Sequence, residues 1–382
     1  MRGAVLFRLL SPEFRSSELM NQSNQKKSAS GRFTPFGIIF TILGILLFAY
    51  FVKKAGLAAI WADIKQLGAG FLLVLLVSAA RPVVRSLAWT RAFTGEHRLR
   101  FRDALGAYII GDAVGTLVPL GIFVSEPTKA ALVRKRVPLV ASLSALAIEN
   151  IFYSLSVSLF IFAGTAALLF SFNLPKPLRI ASISALVVIL LIIPLAAMVL
   201  RKQWKFLSGA VDFLRGRGIA RGFFERKRAG VQDVEARIYS FYAESNSRFL
   251  SIILLEACFH LAGVLEVFVT LWFISEAHPA FLTVFVLESV NRFINVVFKF
   301  VPMRVGVDEA GTGMLAKILG LTTATGVSLA IVRKARILVW TAVGVLLMLL
   351  RGLSWREVTE GSQASEVKGG EPAGAAASPA SE

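Results

Sequence analysis

The sequence of 382 residues has little of the material from which metal centres and disulfide frameworks are built. It contains 1 cysteine, Cys258, and 3 histidines, which excludes a disulfide scaffold and a cysteine-based metal site. Glu256 and His260 share a helical face at a spacing of four residues, but no further ligand is near them. We therefore expect no metal and no cofactor, and read this pair as a buried hydrogen-bonded pair or a proton relay.

Motifs for nucleotide hydrolysis and for acyl transfer are missing too. No Gly-x-x-x-x-Gly-Lys-Ser/Thr and no Gly-x-Ser-x-Gly motif occurs. The expected external loops hold only Asp63 and Glu276 as acids, too few for a glycosyl-transfer site. We therefore expect a protein that is not an enzyme. A lipid-modifying enzyme with Glu149 or His260 as its base is a further alternative.

Charged residues are scarce and apolar residues abundant. Only 17% of residues are charged and 55% are hydrophobic, with a mean hydropathy of +0.68, whereas soluble domains carry about 25% charged residues. Several runs reach the roughly 18 apolar residues that a membrane helix requires. The composition predicts an all-α polytopic membrane protein with about six full spans, which we place at 36–52, 70–90, 140–170, 178–200, 249–275 and 322–350.

The net charge of +18 is concentrated in a few segments, namely 1–35, 91–102, 129–136 and 201–248. Such clusters mark cytoplasmic loops and contact anionic lipid surfaces, and none forms a nucleic-acid-binding module. We expect both termini in the cytoplasm, a basic N-terminal segment over 1–35 that is no cleaved signal, and a disordered tail over 351–382.

Two apolar runs cannot simply cross the membrane. The run 104–124 lies between two basic segments, so a full span would strand one of them outside; a re-entrant hairpin that breaks at Pro119 and Gly121 resolves this conflict. The stretch VPMRVGVDEAG at 301–311 has the same character, with Pro302 and Gly306 at its tip. We predict two re-entrant helical hairpins.

The two hairpins belong to an internal repeat. A shift of 183 residues places Pro302 on Pro119 and Glu309 on Glu126. The repeat units cover about 98–170 and 281–350 within a membrane domain over 36–350. Three spans separate the two hairpins, which turns the second repeat upside down. Inverted repeats with broken helices are typical of secondary transporters.

Ionisable residues at membrane depth are candidates for function because they are costly unless they are paired or hydrated. Glu149 and Arg333 lie near the middle of their spans, and Asn150 aligns with Arg333 in the repeat. We predict that Arg333, with Arg304 or Lys299, binds a lipid phosphate and that three carboxylates orient these cations: Glu126, Glu149 and Glu309. The alternative is a structural ion pair that holds the repeats together.

Other polar residues leave further alternatives open. Glu126 and Glu309 either cap the first turn of the second hairpin arm or couple transport to protons or cations. The segment 56–67 is an amphipathic helix that lies on the outer membrane surface or packs on the protein. More polar residues in apolar runs indicate a wet interior path: Asp112, Glu266, Glu288, Asn291 and Arg292.

These residues resemble the lysylphosphatidylglycerol synthase transmembrane domain family, also called the flippase-like domain. The resemblance rests on a Pro-x-x-x-Gly-x-x-Glu pattern, a following Leu-Gly-Leu and an arginine-bearing helix, at Pro302, Gly306, Glu309, Leu319–Leu321, Arg333, Trp340 and Gly344. The first half is similar at Pro119, Gly121, Glu126 and Glu149, and departs from the pattern at Asn150.

The resemblance implies a stand-alone family member in a bacterial inner membrane that moves an anionic phospholipid or an isoprenoid or hopanoid-type lipid between leaflets. The sequence resembles only the transmembrane domain and not the aminoacyl-transferring domain of two-domain members, so we expect that this protein does not aminoacylate lipids by itself. The alternative is an accessory protein that presents lipid to a separate enzyme. The candidate substrate-binding residues are Arg333, Arg304, Glu309, Glu126, Glu149, Asn150, Pro302, Gly306, Pro119 and Gly121.

Overall fold

The computed structural model describes residues 56–352 apart from 95, 118–120, 203–208, 210–212, 214–220, 245, 276–277, 299–300 and 302–303, together with residues 46, 50 and 53. Within these residues the protein has eleven helices and no strand, as a chain of this composition predicts. The helices are α1 Leu57–Leu67, α2 Gly70–Arg91, α3 Phe101–Leu117, α4 Ile122–Leu132, α5 Leu139–Ser171, α6 Lys176–Arg201, α7 Arg221–Glu244, α8 Asn246–Ile274, α9 Phe281–Val297, α10 Val307–Ile318 and α11 Thr323–Leu350.

Four helices are long and apolar enough to cross a membrane: α2, α5, residues Lys176–Leu195 of α6, and Arg248–Ile274 within α8. They coincide with four of the predicted spans. The predicted span 322–350 forms α11. Because it contains Arg333, Lys334 and Arg336, α11 is not among the four helices that are apolar enough to cross a membrane. The predicted span 36–52 lies almost entirely outside the described residues.

Two pairs of helices form where the hairpins were predicted. α3 packs against α4, and α9 packs against α10. The tips of both pairs, with Pro119, Lys299 and Pro302, lie outside the described residues. In the first pair the backbones meet closely, since a Cβ atom at Gly121 would overlap the carbonyl of Gly115. In the second pair α10 begins after Gly306, whose φ of 81° favours glycine.

The long helix that follows each helix pair packs against the other pair. α5 packs against α9, and α11 packs against α3. Each contact contains a glycine of the long helix. A Cβ atom at Gly164 would overlap the side chain of Ser289, and one at Gly344 would lie 2.7 Å from the carbonyl oxygen of Ile109. Small residues allow this approach of helix backbones in membrane proteins.

Apolar clusters occupy the two ends of α2. One includes Trp89 and Phe93 with residues of α5 and α7, and the other includes Val74 with residues of α8 and α9. Arg81 and Arg85 lie between these ends. Dispersion and exclusion of water hold the helices together at both ends, so the charged side chains between them are fixed by rigid surroundings.

Two segments predicted from amphipathic or basic character are packed helices. The basic segment 201–248 contains α7, which docks on α5 where Tyr242 stacks on Phe152 at 5.7 Å between ring centroids. Burial raises the pKa of Tyr242 to about 12. The amphipathic α1 packs on α8 and α11 through Ile60 and Leu67.

Candidate functional site

Two arginines of α2 project into the interior of the bundle. Arg81 is the twelfth residue of the 22-residue α2. At 1.5 Å per residue it lies about 16 Å from the start of the helix. Arg81 therefore lies near the middle of α2, which continues to Arg91.

Arg81 belongs to a group of six charged side chains, which we call the arginine cluster: Arg81, Arg292, Arg333, Arg336, Glu266 and Glu288. Arg81 Nη2 lies 3.0 Å and Arg292 Nη2 2.9 Å from Glu288 Oε1. Arg333 is paired with the other oxygen of Glu288. Glu266 lies 3.1 Å from Arg336 Nε and 3.4 Å from Arg81 Nη1. Arg81 thus joins the two carboxylates.

The arginine cluster has an excess of positive charge. Four guanidinium groups face two carboxylates, which leaves two positive charges without a counter-ion in the cluster. The arginine side chains are 11–15% exposed, whereas the two carboxylate side chains are only 3–4% exposed. Arg81 Nε has no hydrogen-bond partner among the described residues. The cluster can therefore accept an anion.

A glycine of α8 makes room for the arginine cluster. A Cβ atom at Gly263 would lie 2.7 Å from both Arg81 Nη2 and Glu288 Oε1, and 3.2 Å from Arg292 Nη2. Real side-chain carbons do not approach polar atoms so closely. The charged groups therefore rest directly on the backbone surface of α8.

A second group of charges surrounds Arg85, and we call Arg85, Glu149 and Glu256 the Arg85 triad. Arg85 Nε lies 2.8 Å from Glu149 Oε1, and Arg85 Nη1 lies 3.5 Å from Glu256 Oε1. The guanidinium also donates to Tyr108 Oη at 3.1 Å and to Asn150 Oδ1 at 3.2 Å. The triad has the opposite imbalance to the cluster, with two carboxylates and one cation.

Ser156 extends the triad towards His260. Its hydroxyl lies 3.4 Å from Glu256 Oε2 and 3.1 Å from His260 Nε2. The pair predicted from the spacing of Glu256 and His260 is therefore connected through a third residue. The His260 ring stacks on Phe160 with 4.4 Å between centroids.

The ring of Phe259 lies between the two groups of charges. The guanidinium carbons of Arg81 and Arg292 lie 5.3 Å and 4.9 Å from its centroid, and that of Arg85 lies 5.9 Å away. An aromatic ring attracts cations at such distances. Phe259 therefore contacts the arginine cluster and the Arg85 triad at once, while its neighbour Cys258 is exposed.

Each helix pair has two carboxylates that contact one lysine. In the first pair Lys129 Nζ lies 3.0 Å from both Asp112 and Glu126. In the second pair Glu309 of α10 is paired with Lys334 of the neighbouring α11, which also lies 3.9 Å from Asp308.

One known protein family matches most of the chain. The sequence model of the lysylphosphatidylglycerol synthase TM region matches residues 36–345 of the chain. The chain belongs to this family. No curated protein and no solved structure matches it. The resemblance inferred from the Pro-x-x-x-Gly-x-x-Glu pattern is thereby confirmed, and the chain is a membrane protein of a family named for lipid synthesis.

The carboxylates that were expected to orient Arg333 have other partners in this family member. Glu149 is paired with Arg85, Glu126 with Lys129, and Glu309 with Lys334. Arg333 is instead paired with Glu288, which lies 45 residues away in the sequence. The predicted partners of Arg333 were therefore wrong, because the sequence shows which residues lie at membrane depth but not how each helix is rotated.

The structure places the other predicted residues as follows. Arg304 is paired with Asp308 at 3.2 Å, and Asn150 accepts from Arg85. Gly306 donates its N–H to Glu309 Oε2 at 2.7 Å, so the predicted helix cap is confirmed for Glu309. It is wrong for Glu126, since α4 begins at Ile122 and Glu126 lies in its second turn.

Four cations of these charged groups were not among the binding residues predicted from the sequence: Arg81, Arg85, Lys129 and Arg336. A signal was present for the first two, since their spacing of four residues places both on one face of an apolar helix. Three of the polar residues that were assigned to a wet interior path belong to the arginine cluster: Glu266, Glu288 and Arg292. Among the described residues no group of three His, Cys, Asp or Glu could hold a metal ion.

Proposed function

We propose that this protein moves a lipid with an anionic headgroup between the membrane leaflets, and that the arginine cluster holds the headgroup phosphate. The observation that carries the proposal is the excess of two positive charges among Arg81, Arg292, Arg333 and Arg336. Guanidinium groups bind phosphate through paired, charge-assisted hydrogen bonds. The family relationship supports a lipid as the source of that phosphate.

Electrostatic cost supports an anionic ligand in this position. A charge without a counter-ion at membrane depth costs about 2.5–3.5 kcal/mol on insertion scales. This cost is reduced when a dianionic or monoanionic group approaches the guanidinium groups of the cluster, whose side chains are 11–15% exposed. The acyl chains would remain in the bilayer while the headgroup enters between the helix pairs.

We further propose that the two helix pairs are re-entrant hairpins of an inverted repeat. A shift of 180 residues superimposes the bounds of α3, Phe101–Leu117, on those of α9, Phe281–Val297. The same shift relates Gly164 to Gly344, and it relates Ile109, the contact of Gly344, to Ser289, the contact of Gly164. Such reciprocal contacts are expected when two repeats pack against each other about a pseudo-two-fold axis.

The proposed topology has about six spans, with both termini in the cytoplasm of a bacterial inner membrane. The basic segments, including residues 201–248, would lie on the anionic lipid surface of that side. Alternating opening of the two hairpins around the arginine cluster would then carry the headgroup across.

The test measures lipid movement in proteoliposomes of purified protein. Vesicles contain a trace of headgroup-labelled phosphatidylglycerol, and a membrane-impermeant quencher reports how much label lies in the outer leaflet. We expect the wild type to equilibrate the label between leaflets and Arg333→Gln to lose at least about tenfold in rate, which corresponds to about 1.4 kcal/mol. Arg179→Gln is the control, because it removes the same kind of charge from an exposed position on α6. This helix packs on α5 and contributes no residue to the arginine cluster.

The outcomes separate the alternatives. A wild type that moves label no faster than empty vesicles contradicts the translocase. If the same protein still binds labelled lipid and Arg333→Gln does not, the accessory lipid-binding role is the better description. A chemically altered lipid would instead indicate the enzyme alternative. Equal losses in Arg333→Gln and Arg179→Gln would show that the arginine cluster is not the headgroup site.

A further inference from the structure

We infer that the Arg85 triad is a proton-binding site in which Glu149 carries an exchangeable proton, so that proton binding and anion binding at the neighbouring arginine cluster favour each other. The proton is a second ligand, separate from the lipid of the proposed function. Its binding site consists of Glu149, Glu256 and Arg85, with Ser156 and His260 leading away from it.

The charges of the triad do not balance without a proton. Arg85 is shared by Glu149 and Glu256, and all three side chains are at most 6% exposed. If both carboxylates were ionised, one negative charge would be buried without a counter-ion. Burial of such a charge costs several kcal/mol, and a carboxylate avoids the cost when it takes up a proton.

Hydrogen bonding indicates which carboxylate binds the proton. Glu256 lies within hydrogen-bond reach of the Ser156 hydroxyl, which favours its ionised form. Glu149 is 0% exposed, and neither of its oxygens has a hydrogen-bond partner among the described residues, although Oε1 lies 2.8 Å from Arg85 Nε. An ionised carboxylate would need several donors there. Glu149 is therefore the residue that is stable as a neutral acid.

Six helices pack on α5, and their titratable and charged groups near Glu149 are as follows. α2 contributes Arg85, α4 contributes Glu126 and Lys129, and α8 contributes Glu256 and His260. α9 contributes Glu288 and Arg292 from the arginine cluster, while α6 contacts α5 through apolar residues and α7 places Tyr242 against Phe152. Tyr108 of α3, which also packs on α2, touches both Arg85 and Lys129. Lys129 has two carboxylate partners of its own, and the excess positive charge of the arginine cluster is separated from the triad by the ring of Phe259.

Coupling follows from the position of Phe259. Arg85 lies 5.9 Å from its centroid and Arg292 4.9 Å, so the triad is close to the arginine cluster. When Glu149 is protonated the triad is neutral, and when the proton leaves, the triad becomes negative and competes with an anion for the cluster. Each ligand therefore increases the affinity for the other by the same factor. On release the proton passes from the Glu149 oxygen to water.

Infrared spectroscopy of the reconstituted protein tests the proton site without any lipid movement. We expect a C=O stretching band of a protonated carboxyl group at neutral pH in the wild type. Glu149→Gln should abolish this band. Glu256→Gln should move its pH midpoint down by roughly one unit or more, because Arg85 then serves Glu149 alone. Glu309→Gln is the matched control, since Glu309 is as fully buried as Glu149 but lies outside both charged groups, where it accepts the Gly306 N–H and is paired with Lys334; its loss should leave the band and its midpoint unchanged.

Three results would overturn the inference: no protonated band at neutral pH, a band that persists in Glu149→Gln, or a band whose midpoint does not move in Glu256→Gln. The last measurement keeps the test valid if Glu149→Gln fails to fold. In proteoliposomes, 1 pH unit of acidification on both sides, carried out above the midpoint of the band where Glu149 is ionised, should increase binding of labelled phosphatidylglycerol in the wild type by severalfold and leave Glu149→Gln unchanged, with ~tenfold as the limit for one proton. A band without lipid movement would refute the translocase but not the proton site.

Discussion

Gly263→Ala perturbs the arginine cluster without removing any of its charges. The added Cβ atom would lie 2.7 Å from Arg81 Nη2 and from Glu288 Oε1, and comfortable contacts of carbon begin near about 3.5 Å. Both polar groups must therefore move away from the new carbon by about 0.8 Å. Such a movement stretches the 3.0 Å ion pair of Arg81 and Glu288 beyond hydrogen-bond range.

The stability of the variant results from two opposing effects. Overpacking costs about 1–3 kcal/mol, and alanine in place of glycine inside a helix returns about 1 kcal/mol. We expect a net loss of about 0–2 kcal/mol. Gly230→Ala in α7 is the matched control, because nothing lies within 4 Å of a Cβ atom there. It should gain up to about 1 kcal/mol.

Thermal unfolding in detergent and label movement in vesicles measure the two consequences. The Tm of Gly263→Ala should fall below that of Gly230→Ala, and its rate of lipid movement should fall by at least about tenfold relative to that control. If Gly263→Ala were as stable and as active as Gly230→Ala, the arginine cluster would not depend on close contact with α8, and the reasoning from its geometry would be wrong.

Two further changes test the helix pairs. Gly344→Ala places a carbon 2.7 Å from the Ile109 carbonyl oxygen and should separate α11 from α3, with a loss of about 1–3 kcal/mol in thermal unfolding; an unchanged Tm would refute the close crossing. Lys129→Met leaves Asp112 and Glu126 without their cation. Because Asp112 is largely exposed, we expect a loss of only about 1–2 kcal/mol in thermal unfolding; an unchanged Tm would contradict this role.

Sequence reasoning succeeded where a property depends on composition along the chain. The bounds of α2, α5 and α8 agree closely with runs of apolar residues, because a span needs about twenty of them in succession. The cap of Glu309 on Gly306 was predictable too, since the glycine and the acid are three residues apart. Both properties are local.

The partners in the site were not predictable because they depend on contacts between distant helices. Arg81 and Glu288 are 207 residues apart, and the rotation of α2 that brings them together leaves no trace in hydropathy. The internal shift of 183 residues matched the hairpin tips, whereas the helix bounds and the glycine contacts follow a shift of 180. The proposed repeat therefore could not assign a partner to Arg333.

The exposed Cys258 gives this protein a reporter of its own. It is the 1 cysteine in the sequence, and its thiol is exposed on α8 while the neighbouring Phe259 and His260 are buried. A thiol-reactive fluorophore or spin label would therefore attach to a single position in the wild-type chain, within one helical turn of Glu256 and next to Phe259, whose ring contacts both charged groups. Changes of environment on the outer face of α8 could then be followed in real time without first removing or adding a cysteine.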